Sequence, residues 1–186
     1  VFTSSATFSA AENQTSIGTV TATDADGDNV TFSVSGSELS INSSSGVLTF
    51  VSAPDYETKS TYTATVTASD GVNTTDQTVT INVTNVNDNT PVFTSSATFS
   101  AAENQTSIGT ATTTDAERDT VTYSVSGSEL SINSSSGVLT FVSAPDYETK
   151  STYTVTVTAS DGVNTTHQTV TIKVTNGNDK TPALAL

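Results

Sequence analysis

Alternation of apolar and polar residues is the dominant signal along this chain. In STYTATVTAS (Ser60 to Ser69), Tyr62, Ala64, Val66 and Ala68 fall on one side and Thr61, Thr63, Thr65 and Thr67 on the other. That period of two is expected of a strand with one face buried. QTVTINVT (Gln77 to Thr84) repeats it with Val79, Ile81 and Val83 on the apolar side, and DGVNTTD between the two segments reads as a turn, which predicts a hairpin. Upstream, ATFSA (Ala6 to Ala10), GTVTAT (Gly18 to Thr23), VTFSVS (Val30 to Ser35), LSIN (Leu39 to Asn42) and GVLTFV (Gly46 to Val51) are further short strands bounded by Gly, Asn, Asp or Ser. Seven strands at this spacing predict a Greek-key β-sandwich.

The whole pattern occurs twice. A shift of 91 positions superposes Val1 to Pro91 on Val92 to Pro182 with eleven differences, among them Asp26/Glu117, Gly27/Arg118, Asn29/Thr120, Asp76/His167, Val86/Gly177 and Asn89/Lys180. An internal repeat of this length fixes the domain plan before any local reading does. The chain is therefore expected to be all-β, with two tandem seven-stranded Greek-key sandwiches. These span residues 1–91, including a linker at 85–91, and residues 92–186, with a short tail from Ala183. An odd number of strands sends the chain in at one end of a sandwich and out at the other, so the two domains are expected to stack end to end as a monomeric rod.

Composition narrows the function classes. Hydrophobic residues make up 33%, aromatics 6%, and Cys, Met and Trp are absent, which suits thin β-domains better than an α/β enzyme. A formal charge of −14 leaves no basic patch for nucleic acid. No disulfide can staple such small cores, so clustered carboxylates become candidates for a metal cross-link. The sequence shows no signal peptide, no membrane-length apolar run and no lipidation motif, which is expected of an excerpt from a larger protein without direct membrane insertion. Neither a Gly-x-Ser-x-Gly motif nor a phosphate loop nor a nucleophile and base pair is present, so no enzymatic activity is expected.

The carboxylates gather where the two copies meet. Glu12 follows the first strand, Asp55 and Glu57 in PDYE precede the long Tyr62 strand, and Asp88 lies in NVNDNTP (Asn85 to Pro91). Asp115 and Glu117 follow the second strand of the second copy, and Asp161 ends its long strand. Together with the amides of Asn85, Asn87 and Asn89, these seven carboxylates offer an oxygen-rich, irregular ligand set. Ca²⁺ suits such a set because it takes six to eight oxygens in flexible geometry, whereas Zn²⁺ lacks Cys ligands and finds a lone histidine, His167. DADGDN (Asp24 to Asn29) is not an EF-hand loop, since that loop needs Gly at its sixth position and Glu at its twelfth.

In order and spacing, AEN (Ala11 to Asn13), PDYE (Pro54 to Glu57), DAD (Asp24 to Asp26) or DAE (Asp115 to Glu117), ASDG (Ala68 to Gly71 and Ala159 to Gly162) and NVNDNTPVF (Asn85 to Phe93) resemble the calcium motifs of cadherin repeats. The similarity covers the chain twice. It implies up to three calcium ions at the joint between repeats. Glu12, Asp55, Glu57, Asp88, Asn85 and the Val86 carbonyl would hold the upper pair, with Glu117 reaching across. Asn87, the Asn89 carbonyl, Asp115, Glu117 and Asp161 would hold the third. Asn85 stands where the family usually has Asp, and Glu117 replaces the Asp retained as Asp26, so weaker or fewer ions are expected. Glu103, Asp146, Glu148 and Asp179 would form a weaker half-site, altered locally by Gly177 and Lys180.

The resemblance implies a calcium-rigidified extracellular spacer of a repetitive cell-surface adhesin whose partners are neighbouring repeats of the same chain. Near-identical copies without disulfides suggest a bacterial source. The alternative is a calcium-dependent module that recognises polysaccharide, or a second copy of the array, and mediates homophilic cell aggregation. The strand exchange used by some members of that family needs an N-terminal Trp, and this chain has none.

Overall fold

The computed structural model describes residues 1–178, and the chain divides into one compact unit from Val1 to Val86 and a second from Asn87 onward. In the first unit the strands are β1 (Thr7–Ala11), β2 (Ser16–Thr19), β3 (Thr31–Val34), β4 (Leu39–Ile41), β5 (Val47–Phe50), β6 (Thr61–Ser69) and β7 (Thr74–Thr84). They form two sheets, ordered β1-β7-β6-β3 and β2-β5-β4. The expected hairpin is β6–β7, antiparallel from Thr61↔Asn82 to Ser69↔Thr74. β1 lies parallel to β7, from Thr7↔Thr80 to Ala11↔Thr84, which brings Ala11 and Glu12 beside the end of the last strand.

The second unit repeats this plan with β9 (Thr98–Ala102), β10 (Ser107–Thr110), β12 (Thr122–Val125), β13 (Leu130–Ile132), β14 (Val138–Phe141), β15 (Thr152–Ser160) and β16 (Thr165–Thr175). Its sheets are ordered β12-β15-β16-β9 and β10-β14-β13. One short ribbon is added, β8 (Val92–Phe93) against β11 (Thr113–Thr114), and its first-unit counterpart is the single bridge Phe2↔Ala22.

Alternation places the core correctly. Val66, Val79 and Ile81 are fully buried and Ala64, Ala68 and Val83 nearly so, joined from the facing sheet by Leu39, Leu48 and Phe50. Each such Val, Leu or Ile contributes roughly 1.5–3 kcal/mol of burial. The expected strand GTVTAT is divided between two partners. Ser16–Thr19 pairs with β5 through a bulge between Ser16 and Gly18, Val20 is fully buried with its amide on the Gly46 carbonyl, and Ala22 bridges Phe2. A period of two cannot show where a strand changes partners. Gly46 is required at this crossing, because at φ +70 a Cβ would sit 2.1 Å from the Val20 carbonyl oxygen.

Differences between the copies are mutually consistent. Val20 becomes Ala111 while Ala64 becomes Val155, and all four are buried, so core volume is conserved. Phe32 becomes Tyr123 while Ala22 becomes Thr113, and the two new hydroxyls hydrogen-bond at 2.8 Å.

Candidate metal centre

In the first unit the site is built around Glu12. It leaves the end of β1, where its amide donates to the Thr84 carbonyl, and the next residue, Asn13, takes a left-handed turn at φ 62. The side chain is 3% exposed, and each carboxylate oxygen accepts one main-chain amide, Oε2 from Tyr56 and Oε1 from Val86, both at 2.7 Å. Glu12 thereby ties the PDYE turn and the end of the unit to β1. It also brings a carboxylate oxygen within 4.8 Å of one from Asp55 and one from Glu57. Asp55 is fixed by its own turn, accepting the Thr58 hydroxyl at 2.9 Å and the Thr58 amide at 3.2 Å. Those bonds, the hydroxyl first, hold its pKa below the ordinary aspartate value against the opposing effect of desolvation.

Three like charges this close repel one another unless a cation or donors lie among them. Val86 contributes its amide to the cluster, while Asn85 is exposed immediately after β7.

The second unit holds two further groups. Asp115, Glu117 and Asp119 place carboxylate oxygens within 4.8 Å of one another. The Asp119 amide donates to Asp115 Oδ1 at 3.0 Å, and Arg118 turns the chain at φ 65. Asp115 Oδ2 and Glu117 Oε2 are buried and accept no hydrogen bond. Asn89 donates its side-chain amide to Glu117 Oε1 and to Asp88 Oδ1, the latter at 2.9 Å.

Asp161 immediately follows β15 and receives the amides of Val163 at 2.7 Å and Asn164 at 2.6 Å. Desolvation opposes its ionisation, but these donors, with the side chains of Asn164 and Asn87, outweigh it and hold its pKa below the usual value. The Asn164 carboxamide joins Asp161 to the segment before β8. Its Nδ2 donates to Asn87 Oδ1 at 2.7 Å, the Asn89 carbonyl at 3.1 Å, Asp161 Oδ2 at 3.3 Å and the Asn87 carbonyl at 3.4 Å.

At the other end of the second unit, Glu103 repeats the role of Glu12. It is 6% exposed and accepts the amides of Tyr147, at 2.9 Å, and Gly177, with Asp146 and Glu148 within 4.8 Å. The expected half-site member Asp179 and its neighbour Lys180 lie outside the described residues.

The orphaned oxygens of Asp115 and Glu117 fit a cation. Buried carboxylate oxygens are ordinarily paired, and an uncompensated one is costly. The donor set is all oxygen, which is the chemistry of Ca²⁺ rather than of a softer metal. Asp119 and Asn164 were not singled out from sequence. DAE and ASDG pointed to Asp115, Glu117 and Asp161 but not to the residues just after them, and nothing in a linear pattern separates a turn asparagine from one aimed at four oxygens. Arg118→Gly tests the local backbone: copy one has Gly27 at φ 85 in this place. Removing a left-handed non-glycine residue should stabilise the second unit by up to about 1 kcal/mol in a urea titration.

The cadherin-domain family profile matches residues 6–84 and 96–175. The chain belongs to the cadherin family. Human protocadherin Fat 4 is 35% identical over 160 residues, covering 77% of this chain and 3% of that protein. Human protocadherin Fat 1 is 36% identical over 180 residues, covering 84% of this chain and 4% of that protein. The chain thus spans only a few per cent of the length of these curated relatives. Among solved structures, human protocadherin-24 EC1-2 has a TM-score of 0.81 at 20% identity, covering 95% of this chain and 97% of that one. Mouse cadherin-23 EC22-24 has a TM-score of 0.80 at 24% identity, covering 93% of this chain and 64% of that one. These two structures share the tandem all-β cadherin fold with this chain. Among the described residues no helix is long and apolar enough to cross a membrane.

Proposed function

We propose that the chain is a calcium-binding, calcium-rigidified module of an extracellular adhesion protein, with its metal centre at the joint between the two cadherin domains. Glu12, Asp55, Glu57, Asn85, Asp88, the Val86 carbonyl and Glu117 would hold two ions, and Asn87, the Asn89 carbonyl, Asp115, Glu117 and Asp161 a third. The single observation that carries this reading is the pair of buried, unpartnered oxygens on Asp115 and Glu117. A divalent cation would give those oxygens a partner and offset the repulsion within each acidic group.

The role of each residue follows from its chemistry. Glu12 fixes the turn that presents Asp55 and Glu57, and its buried carboxylate keeps their oxygens at one place in the first domain. Asp161, Asn87 and Asn89 provide a neutral-rich oxygen set in the second. Because Asn85 supplies no charge, affinity should be moderate, suited to the millimolar calcium outside cells and too weak to fill in the cytosol. The chain would be flexible until it reaches calcium and stiff afterwards, so that neighbouring repeats extend a binding region away from the cell surface.

Small-angle scattering in EDTA and in millimolar calcium, with isothermal titration of the same sample, tests this. The expected result is uptake of two or three ions with a change from a broad to a narrow distance distribution. Absence of calcium uptake, or uptake without any change in shape, would refute the spacer mechanism. A second reading, association with another copy of the chain, is favoured by the exposed valines, Val72 at 90% and Val163 at 71% exposure, at the β6–β7 and β15–β16 turns. Sedimentation velocity across concentration, with and without calcium, separates it from the spacer reading.

A further inference from the structure

In the second domain a side-chain donor faces oxygens that the reading above gives to a cation. Asn164 Nδ2 faces Asn87 Oδ1, the main-chain carbonyls of Asn87 and Asn89, and Asp161 Oδ2. Three of those partners, Asn87 Oδ1, the Asn89 carbonyl and the Asp161 carboxylate, are the oxygens assigned above to the third calcium. The orientation of the carboxamide is fixed by its neighbours, because carbonyl and carboxylate oxygens can only accept, so the nitrogen and not the oxygen must face them.

The equivalent residue of the first domain, Asn73, lies in the same turn. Asn73 is exposed, and its Nδ2 donates to Asp70 Oδ2 at 3.2 Å. Asn164 is half-buried, as is Asn87. The turn chemistry is shared, since Asp70 and Asp161 both accept the amides two and three residues on. The positions 91 residues before Asn87 and Asn89 precede Val1, so the oxygens that Asn164 gathers are described for the second domain alone.

We propose that the Asn164 carboxamide is an internal placeholder for the calcium ion: without metal it holds Asn87 and Asn89 against the second domain, and the ion must displace it to bind. This rests on the calcium reading above. Calcium binds oxygens at about 2.3–2.6 Å, and a nitrogen bearing protons directed at the same lone pairs competes for them electrostatically. An ion that takes Asn87 Oδ1, the Asn89 carbonyl and Asp161 removes three of the four acceptors of Asn164 and leaves only the long contact to the Asn87 carbonyl. The placeholder therefore lowers affinity at this position while keeping the segment ordered in its absence.

The test uses the whole chain, expressed without N-glycans because Asn164, Thr165 and Thr166 form an acceptor sequence for glycosylation. In EDTA, nuclear magnetic resonance should show the Asn164 side-chain amide protected from exchange, and Asn164→Ala should increase the mobility of Asn87–Asn89. Calcium titration should show Asn164→Ala binding about three- to tenfold tighter than the parent, the loss of one or two competing hydrogen bonds. The parent's Asn164 side-chain resonances should shift as calcium is added. Asn164→Asp should also bind more tightly, because a carboxylate adds a ligand in place of a donor. Asn73→Ala, the same change in the first domain, should leave affinity unaltered.

Unchanged or weaker binding by Asn164→Ala would overturn the proposal, because it would mean that the amide supports the occupied site instead of competing for it. An unprotected Asn164 side chain in EDTA would overturn it as well. Failure of the parent chain to take up calcium would sink the functional reading and the placeholder together, and is distinguished by requiring no variant.

Discussion

Asp115→Asn is expected to weaken calcium binding by at least about tenfold, or roughly 1.4 kcal/mol, while leaving the calcium-free protein as stable as the parent or more so. The opposite signs follow from one feature. Asp115 Oδ2 is buried without a partner and lies in an acidic group with Glu117 and Asp119. Removing its charge relieves repulsion when no cation is present and removes a ligand when one is. Asparagine preserves shape and can still accept the Asp119 amide through Oδ1. Thermal unfolding in EDTA and in millimolar calcium measures both effects at once, since a bound ion raises the midpoint by linkage. A variant destabilised equally in both conditions would show that Asp115 is only a turn residue.

Glu12→Ala is expected to destabilise the first domain by about 2–4 kcal/mol even in EDTA. Its carboxylate is the fastening between three parts of the chain: the end of β1, the Tyr56 turn and the Val86 amide. Truncation leaves two amides without their acceptor. It also frees the PDYE turn that presents Asp55 and Glu57, so calcium uptake should fall more than loss of a single ligand would explain. A urea titration of this variant should show an early transition for the first domain. Unaltered stability in EDTA would mean that Glu12 serves the metal alone.

Much of this was legible in the sequence because both the fold and the site are written in short-range patterns. The alternation in STYTATVTAS and QTVTINVT predicted which residues of β6 and β7 are buried, and Val66, Val79 and Ile81 are fully so. The repeat of 91 residues predicted two like domains, and the ordered acidic motifs predicted the family to which both belong. Glu12, Asp55 and Glu57 were expected together and are found within 4.8 Å in the first unit. The assignment of each ligand to an ion remains the proposal made above.

The remainder depended on distances that a linear pattern does not contain. Periodicity gives the face of a residue but not its partner strand, so the parallel pairing of β1 with β7 and the division of GTVTAT between β5 and Phe2 emerged only from the assembled sheets. The AEN motif identified Glu12 as a candidate ligand. Only the fold showed it buried and holding two main-chain amides, because burial arises from the packing of segments 44 and 74 residues away. Asn164 lies in DGVNTT, a turn by its local sequence, and only the fold showed its carboxamide facing Asn87 and Asn89, 77 and 75 residues away. Local sequence determined the turn; what lies opposite it was decided by tertiary contact.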